Sequence, residues 1–158
     1  MEYEKAKSAA AKLISQKMYT CDEIFQRLVR KGFSKEISES VVGEFSKAGI
    51  LDDEEYAKLY IHDAVCVNMK GMYRVKQELM QKGIAQSIIE KAEAETELDL
   101  KESLESYVEL KFGDRIFEDR KDIEKAKAHL VRRGFGIYEI NRCFDKLGIK
   151  AERSEDFE

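Results

Sequence analysis

Residues 28–33 read LVRKGF, residues 79–84 read LMQKGI and residues 130–135 read LVRRGF, at a constant interval of 51 residues. A period of this size constrains a fold more than any local motif does. Each copy is a small unit that cannot bury its own apolar face, so neighbouring units must stack to complete a core. The chain of 158 residues has room for three such units and a short remainder. It contains no proline, and only nine glycines. Proline breaks helix interiors by removing an N–H and clashing with the preceding turn, and the residues that dominate here are good helix formers. No alternating strand bounded by turn residues stands out. The expected fold is all-α: three tandem three-helix repeats, at 1–51, 52–102 and 103–150, forming an elongated curved array, with an acidic tail at 151–158.

Local patterns support this division. Ala6, Ala9, Ala10, Leu13 and Ile14 follow the three-four spacing of one helix face. Thr20 and Glu23 form a capping box, in which a hydroxyl and a carboxylate satisfy N–H groups that the first turn leaves unpaired. Cys21, Ile24, Phe25, Leu28 and Val29 make the next stripe, and Gly32 ends it by accepting a left-handed conformation. A third helix is expected from Ser34, burying Ile37, Val41 and Phe45 and stopping at Gly49. In the second segment Asp52 and Asp53 suit a helix start. Tyr56, Leu59, Tyr60 and Ala64 are its expected core stripe, Gly71 a break, and Gly83 the end of the following helix. Ile84, Ile88 and Ala92 begin the next. Tyr56 and Leu59 align at the period with Tyr107 and Leu110. Ile14, Val65 and Ile116 share one column, and Ile24, Val75 and Ala126 another.

The net charge of −4 argues against a protein that coats nucleic acid by bulk attraction. Its distribution is uneven: +2 over 1–51, −5 over 52–102 and −1 over 103–158, where the tail alone carries −3. Lys31, Lys82 and Arg133 directly precede Gly32, Gly83 and Gly134, backed by Arg30 and Arg132. One reading is that cations complement the negative end of each helix dipole. The other is a row of positive charges facing a polymeric partner or phosphate. The stretch 70–82 adds Lys70, Tyr73, Arg74 and Lys76 to the second reading. Catalysis finds little support: the acids at 52–55 suit a helix start. His62 and Cys66 lie four apart, but a zinc site needs about four ligands. His129 has no nucleophile beside it, and no phosphate-cradling glycine loop is present. No catalytic residue, metal site or cofactor is expected. Cys21, Cys66 and Cys143 are odd in number and far apart, which suits packed free thiols in a reducing compartment. With no apolar run of membrane-spanning length and no secretory leader at the acidic start, the expected location is the cytoplasm.

The stretches GILDDEEYAKLYI, KGMYRVKQELMQKGI and HLVRRGFGIYEI, in that order, resemble the RecX family of bacterial regulators of the RecA recombinase. The resemblance covers about residues 6–149. It implies three tandem three-helix repeats and a non-enzymatic regulator that lodges in the groove of the RecA filament on DNA. Such a protein restrains RecA's ATPase and strand-exchange activities, and so acts as a recombination inhibitor in DNA repair and the SOS response. The matching residues are Lys70, Gly71, Tyr73, Arg74, Lys82 and Gly83 in the middle block, and Arg132, Arg133, Gly134 and Phe135 in the closing block. The Asp52, Asp53 and Tyr56 block reads as the helix start that sets the repeat junction. The chain departs from the family pattern in its net acidity and in having Val75 and Lys76 where arginines are usually denser.

The expected partner surface is therefore Lys31, Lys70, Tyr73, Arg74, Lys76, Lys82, Arg132 and Arg133, with Gly32, Gly83 and Gly134 as structural residues. A monomer is expected, binding the RecA filament with weak DNA contact and no membrane. Two alternatives stay open: a direct DNA binder whose basic helix ends meet phosphates, and a helical-repeat scaffold for another protein.

Overall fold

A computed structural model describes residues 1–151, so the tail expected at 151–158 lies, from 152 onward, outside the described residues. Among the described residues the fold is all-α, with nine α-helices, one π-helical turn and no strand. The order is α1 (Glu2–Ile14), α2 (Cys21–Arg30), α3 (Lys35–Lys47), α4 (Asp53–His62), the π turn (Asp63–Val67), α5 (Met72–Gln81), α6 (Gln86–Glu95), α7 (Leu100–Phe112), α8 (Arg120–Arg132) and α9 (Ile137–Leu147).

The helices start where local chemistry says they should. Thr20 Oγ1 accepts from Glu23 N at 3.1 Å while Glu23 Oε1 accepts from Thr20 N at 2.9 Å, so the capping box of α2 closes in both directions. Ser34 caps α3 through Ile37 N, Asp99 caps α7 through Glu102 N, and Asp119 caps α8 through Asp122 N. Each such cap stabilises its helix by about 1 kcal/mol.

By contacts the chain divides into two compact units, one of Met1–Tyr60 with Glu78–Thr96, the other of Ile61–Gln77 with Glu97 onward. The middle segment thus contributes to both. In the first unit Ala6, Ala10, Tyr19, Ile24, Leu28, Val41, Phe45 and Leu51 form a core, with Ile37, Leu13 and Ile14 half-buried against it. In the second, Leu104, Tyr107, Val108, Phe112, Phe117, Ala126, Leu130, Ile140, Cys143 and Phe144 form another. Truncating a fully buried leucine such as Leu28 or Leu130 to alanine costs about 2–5 kcal/mol.

Two of the periodic columns are internal throughout. Leu28, Leu79 and Leu130 are all at 0% exposure, and Ile24, Val75 and Ala126 are all buried. The third column is not: Val65 is buried, Ile14 is half-buried, and Ile116 is 66% exposed in the loop after α7. The expected stripe of α4 also shifts by one position. Ala57, Ile61, Ala64 and Val65 are buried, while Leu59 is exposed and Tyr56 and Tyr60 are half-buried. Both stripes have helical spacing; burial goes to the one without phenol groups, which leaves the tyrosine hydroxyls in reach of polar partners. In α6 the buried residues are Ile89 and Ala92, with Ile88 only half-buried.

Candidate partner-binding surface

Each glycine of the repeated hexamer terminates a helix with positive φ: +102° at Gly32, +84° at Gly83 and +104° at Gly134. The carbonyl five positions back in each turn is then reused: Phe33 N donates to Leu28 O, Ile84 N to Leu79 O and Phe135 N to Leu130 O, at 3.1–3.2 Å. These are Schellman-type ends, which satisfy carbonyls the last turn would leave unpaired.

What the end of each helix then meets differs. In the first unit the end of α5 sits on the start of α2. Thr20 Oγ1 donates to the Lys82 carbonyl at 2.7 Å, and a Cβ placed on Gly83 would overlap the Asp22 side chain. The Lys82 ammonium is 3.9 Å from a Glu23 carboxylate oxygen and lies over the rings of Tyr56 and Tyr60, 5.9 and 5.5 Å from their centres. Asp53 Oδ1 accepts from Cys21 N at 2.9 Å, so it closes the start of α2, while Asp52 Oδ1 accepts from Glu55 N and caps α4. Tyr60 donates its hydroxyl to Glu78 at 2.7 Å, and Lys58 bridges Glu54 and Glu95.

In the second unit the end of α8 sits on the start of α5. Gly71 N donates to the Arg133 carbonyl at 2.9 Å and Tyr73 N to the Gly134 carbonyl at 3.1 Å. The orphan N–H groups of one helix thereby pair with the orphan carbonyls of another, and opposite dipole ends meet. The Arg133 guanidinium donates to the Asn68 and Met69 carbonyls, which follow the π turn, and lies 4.8 Å from the Tyr107 ring centre. Met69 is held at φ +52°, the one non-glycine residue with positive φ among the described residues. The Tyr56–Lys82 and Tyr107–Arg133 contacts share a separation of 26 residues. The repeated cation thus lies over tyrosine rings in two of its three occurrences, and as Arg133 it also holds two backbone carbonyls. In the first copy Lys31 is exposed, and a Cβ on Gly32 would meet nothing within 4 Å.

Six of the eight candidate residues fall in the second unit. Lys70, Tyr73, Arg74 and Lys76 come from the start of α5, and Arg132 and Arg133 from the end of α8. Tyr73 is 70% exposed and Arg132 is exposed, whereas Arg133 is half-buried. Lys31 and Lys82 belong to the first unit. Sequence reasoning passed over Ile137, Tyr138 and Arg142 at the start of α9. Ile137 and Tyr138 are 55% and 66% exposed, and the Arg142 guanidinium lies 5.7 Å from the Tyr138 ring centre. The available signal was an aromatic and an arginine four residues apart directly after Gly136.

His129 shares a 2.7 Å hydrogen bond through Nε2 with the Tyr107 hydroxyl, a partner its sequence neighbours did not suggest. Burial, and then the nearby charges of Lys111, Arg132 and Arg133, hold its pKa below the ordinary histidine value. Burial pushes the thiols of Cys21 and Cys143 up to about 11, with the Asp53 and Glu105 carboxylates adding to it respectively, so neither is a nucleophile at neutral pH. Cys66 was expected to be packed and is instead exposed, on the outside of the π turn. Among the described residues no three of His, Cys, Asp and Glu gather into a metal-binding cluster, and no helix is long and apolar enough to cross a membrane.

Two family models match the chain: "RecX, first three-helix domain" over residues 6–45 and "RecX, second three-helix domain" over residues 52–92. Among curated relatives, the regulatory protein RecX of Prosthecochloris aestuarii is 33% identical over 146 residues, spanning 90% of this chain and 93% of the relative. That of Vibrio parahaemolyticus is 32% identical over 136 residues, spanning 86% and 87%. The crystal structure of RecX from Lactobacillus salivarius superposes with a TM-score of 0.78 at 21% identity, covering 93% of this chain and 97% of that one. A second crystal structure of a regulatory protein RecX gives 0.75 at 24% identity, covering 91% and 72%.

Proposed function

This chain belongs to the RecX family of regulatory proteins, and from that membership we propose that it binds the RecA recombinase filament on DNA and inhibits its ATPase and strand-exchange activities. It acts by occupancy of the filament groove, as a non-enzymatic monomer in the cytoplasm, with only weak DNA contact of its own. The fold we propose for this role is three tandem three-helix repeats, at 1–51, 52–102 and 103–150, arranged as an elongated curved array. Its support is the recurrence at one period of the left-handed glycine and the buried leucine column in all three segments, and of the tyrosine–cation pair in the second and third. An array of this kind touches several filament subunits, and individually weak contacts add through effective concentration.

One observation carries the choice of surface: Lys70, Tyr73, Arg74, Lys76, Arg132 and Arg133 come from two helix ends that are hydrogen-bonded to each other. Lys31 is a further candidate contact, on the first unit. Lys82 and Arg133 contribute chiefly by holding the helix ends in place, because their charges already face tyrosine rings and protein oxygens.

The test is RecA-catalysed ATP hydrolysis on single-stranded DNA with the protein titrated in. The wild-type chain should suppress hydrolysis, and combined reversal of Lys31 and Arg132 with Tyr73→Ala should weaken suppression without lowering thermal stability. No suppression by the wild-type chain would refute the function. Suppression unchanged in the triple variant would refute the surface. Tight binding to bare DNA that falls steeply with salt would favour a direct nucleic-acid binder instead.

A further inference from the structure

The start of α9 carries an exposed apolar ridge that the partner surface above leaves out. Ile137 and Tyr138 are 55% and 66% exposed on adjacent positions, and Tyr73 from α5 is 70% exposed. Tyr73 comes up to the turn that leads into α9: a Cβ built on Gly136 would stand 3.2 Å from Tyr73 Cε2. Gly136 therefore lets the Tyr73 ring lie against the backbone that leads into Ile137. The backbone beneath is pinned by the Tyr73 N to Gly134 O bond, so the ridge is preformed.

Its electrostatic frame is positive. Arg142 lies against the Tyr138 ring, Arg132 is exposed at the end of the helix that docks here, and the ridge sits on the positive dipole end of an eleven-residue helix. The only acid in that first turn is Glu139, whose carboxylate lies over Gly136. Apolar side chains framed by arginines complement an acidic chain with an apolar anchor. A nucleic acid strand fits less well. Ile137 offers a base no ring to stack on, and the Arg142 guanidinium already covers one face of Tyr138.

We propose that Tyr73, Ile137 and Tyr138, bordered by Arg132 and Arg142, form a docking site for an acidic peptide segment with an aromatic or aliphatic anchor. Resting on the reading above, that segment belongs to the RecA filament. Tyrosine and arginine are the residues that most often dominate protein–protein binding energy, which makes the Tyr138–Arg142 pair the expected centre.

The experiment has two arms. In the first, fluorescence anisotropy measures binding of the full chain to a fluorescein-labelled peptide of alternating Asp and Glu around a single Phe. The same peptide with Phe replaced by Ala and a single-stranded oligonucleotide of equal charge are run alongside. Binding should be saturable, at least tenfold weaker for the Ala peptide and for the oligonucleotide, and at least tenfold weaker for Tyr138→Ala or Arg142→Glu. Equal affinity for both peptides, tighter binding of the oligonucleotide, or no effect of either substitution would overturn the site. In the second arm, the two variants are titrated into the RecA ATPase assay, with circular dichroism melting to show that each stays folded. A tenfold rise in the half-inhibitory concentration supports the site, and an unchanged value overturns its use on the filament. A wild-type chain that binds the acidic peptide selectively but leaves RecA uninhibited would support the site and sink the RecA reading, so the two failures are separable.

Discussion

Replacing each hexamer glycine by alanine isolates packing from backbone conformation, because the three positions share residue type, helix end and sign of φ. Gly32 and Gly134 are nearly matched, at φ +102° and +104°. An L-residue in this region costs about 1–2 kcal/mol. At Gly32 nothing lies within 4 Å of a new methyl group, so the strain is the whole penalty. At Gly134 the methyl would stand 2.6 Å from Arg74 N and 2.7 Å from Gly71 O, which are backbone atoms at the start of α5. Relief requires α8 to move off α5, weakening the two inter-helix bonds donated by Gly71 N and Tyr73 N. Overpacking of this kind adds about 1–3 kcal/mol, giving roughly 2–5 kcal/mol in all for Gly134→Ala. Gly83→Ala falls between, because its methyl meets the Asp22 side chain, which can rotate away. Urea unfolding followed by circular dichroism should rank the losses as Gly32 below Gly83 below Gly134. Equal losses at all three, or the largest loss at Gly32, would show that the helix ends are not docked as described.

Arg133→Met removes charge-assisted donors to the Asn68 and Met69 carbonyls and should cost about 1.5–3 kcal/mol in urea unfolding, with Arg133→Lys recovering only part of it. His129 has a folded pKa below its unfolded value of about 6.5, so the unfolded chain binds the extra proton first. Stability should therefore fall as pH drops through and below about 6.5, and His129→Gln should flatten that part of the profile. A wild-type profile flat between pH 7 and 5 would contradict the half-buried Tyr107–His129 pair. Among the thiols, exposed Cys66 should react with a disulfide reagent at neutral pH well before Cys21 and Cys143, which become reactive only on unfolding.

The helical class, the position of most helix ends and the two buried columns were legible in the sequence because each depends on local chemistry. Absence of proline, Thr20 three residues before Glu23, and glycine after a leucine stripe act within a few residues of backbone. Which of two competing stripes on α4 goes inside was not legible, since both Leu59 and Ile61 satisfy helical spacing and only the neighbours choose. Ile116 shows a related limit: the period put it in one column with Ile14 and Val65, but the loop after α7 carries it out to solvent.

The candidate surface shows the same division. The cations before Gly32, Gly83 and Gly134 were visible as a pattern with two meanings, dipole complement or partner contact. Tertiary structure gave them unlike surroundings. Lys82 and Arg133 lie over tyrosines 26 residues earlier, while position 5, which precedes Lys31 by the same number, is a lysine and offers no ring. Tyr73 gained its place against Gly136, at the start of the helix that carries Tyr138 and Arg142, only once Gly134 docked on α5. By itself the sequence determined what can be settled between residues a few positions apart: helix, cap, stop and repeat. Only the folded chain decided which helix end meets which. That choice depends on pairing orphan N–H and carbonyl groups more than sixty residues apart, and no local window contains both partners.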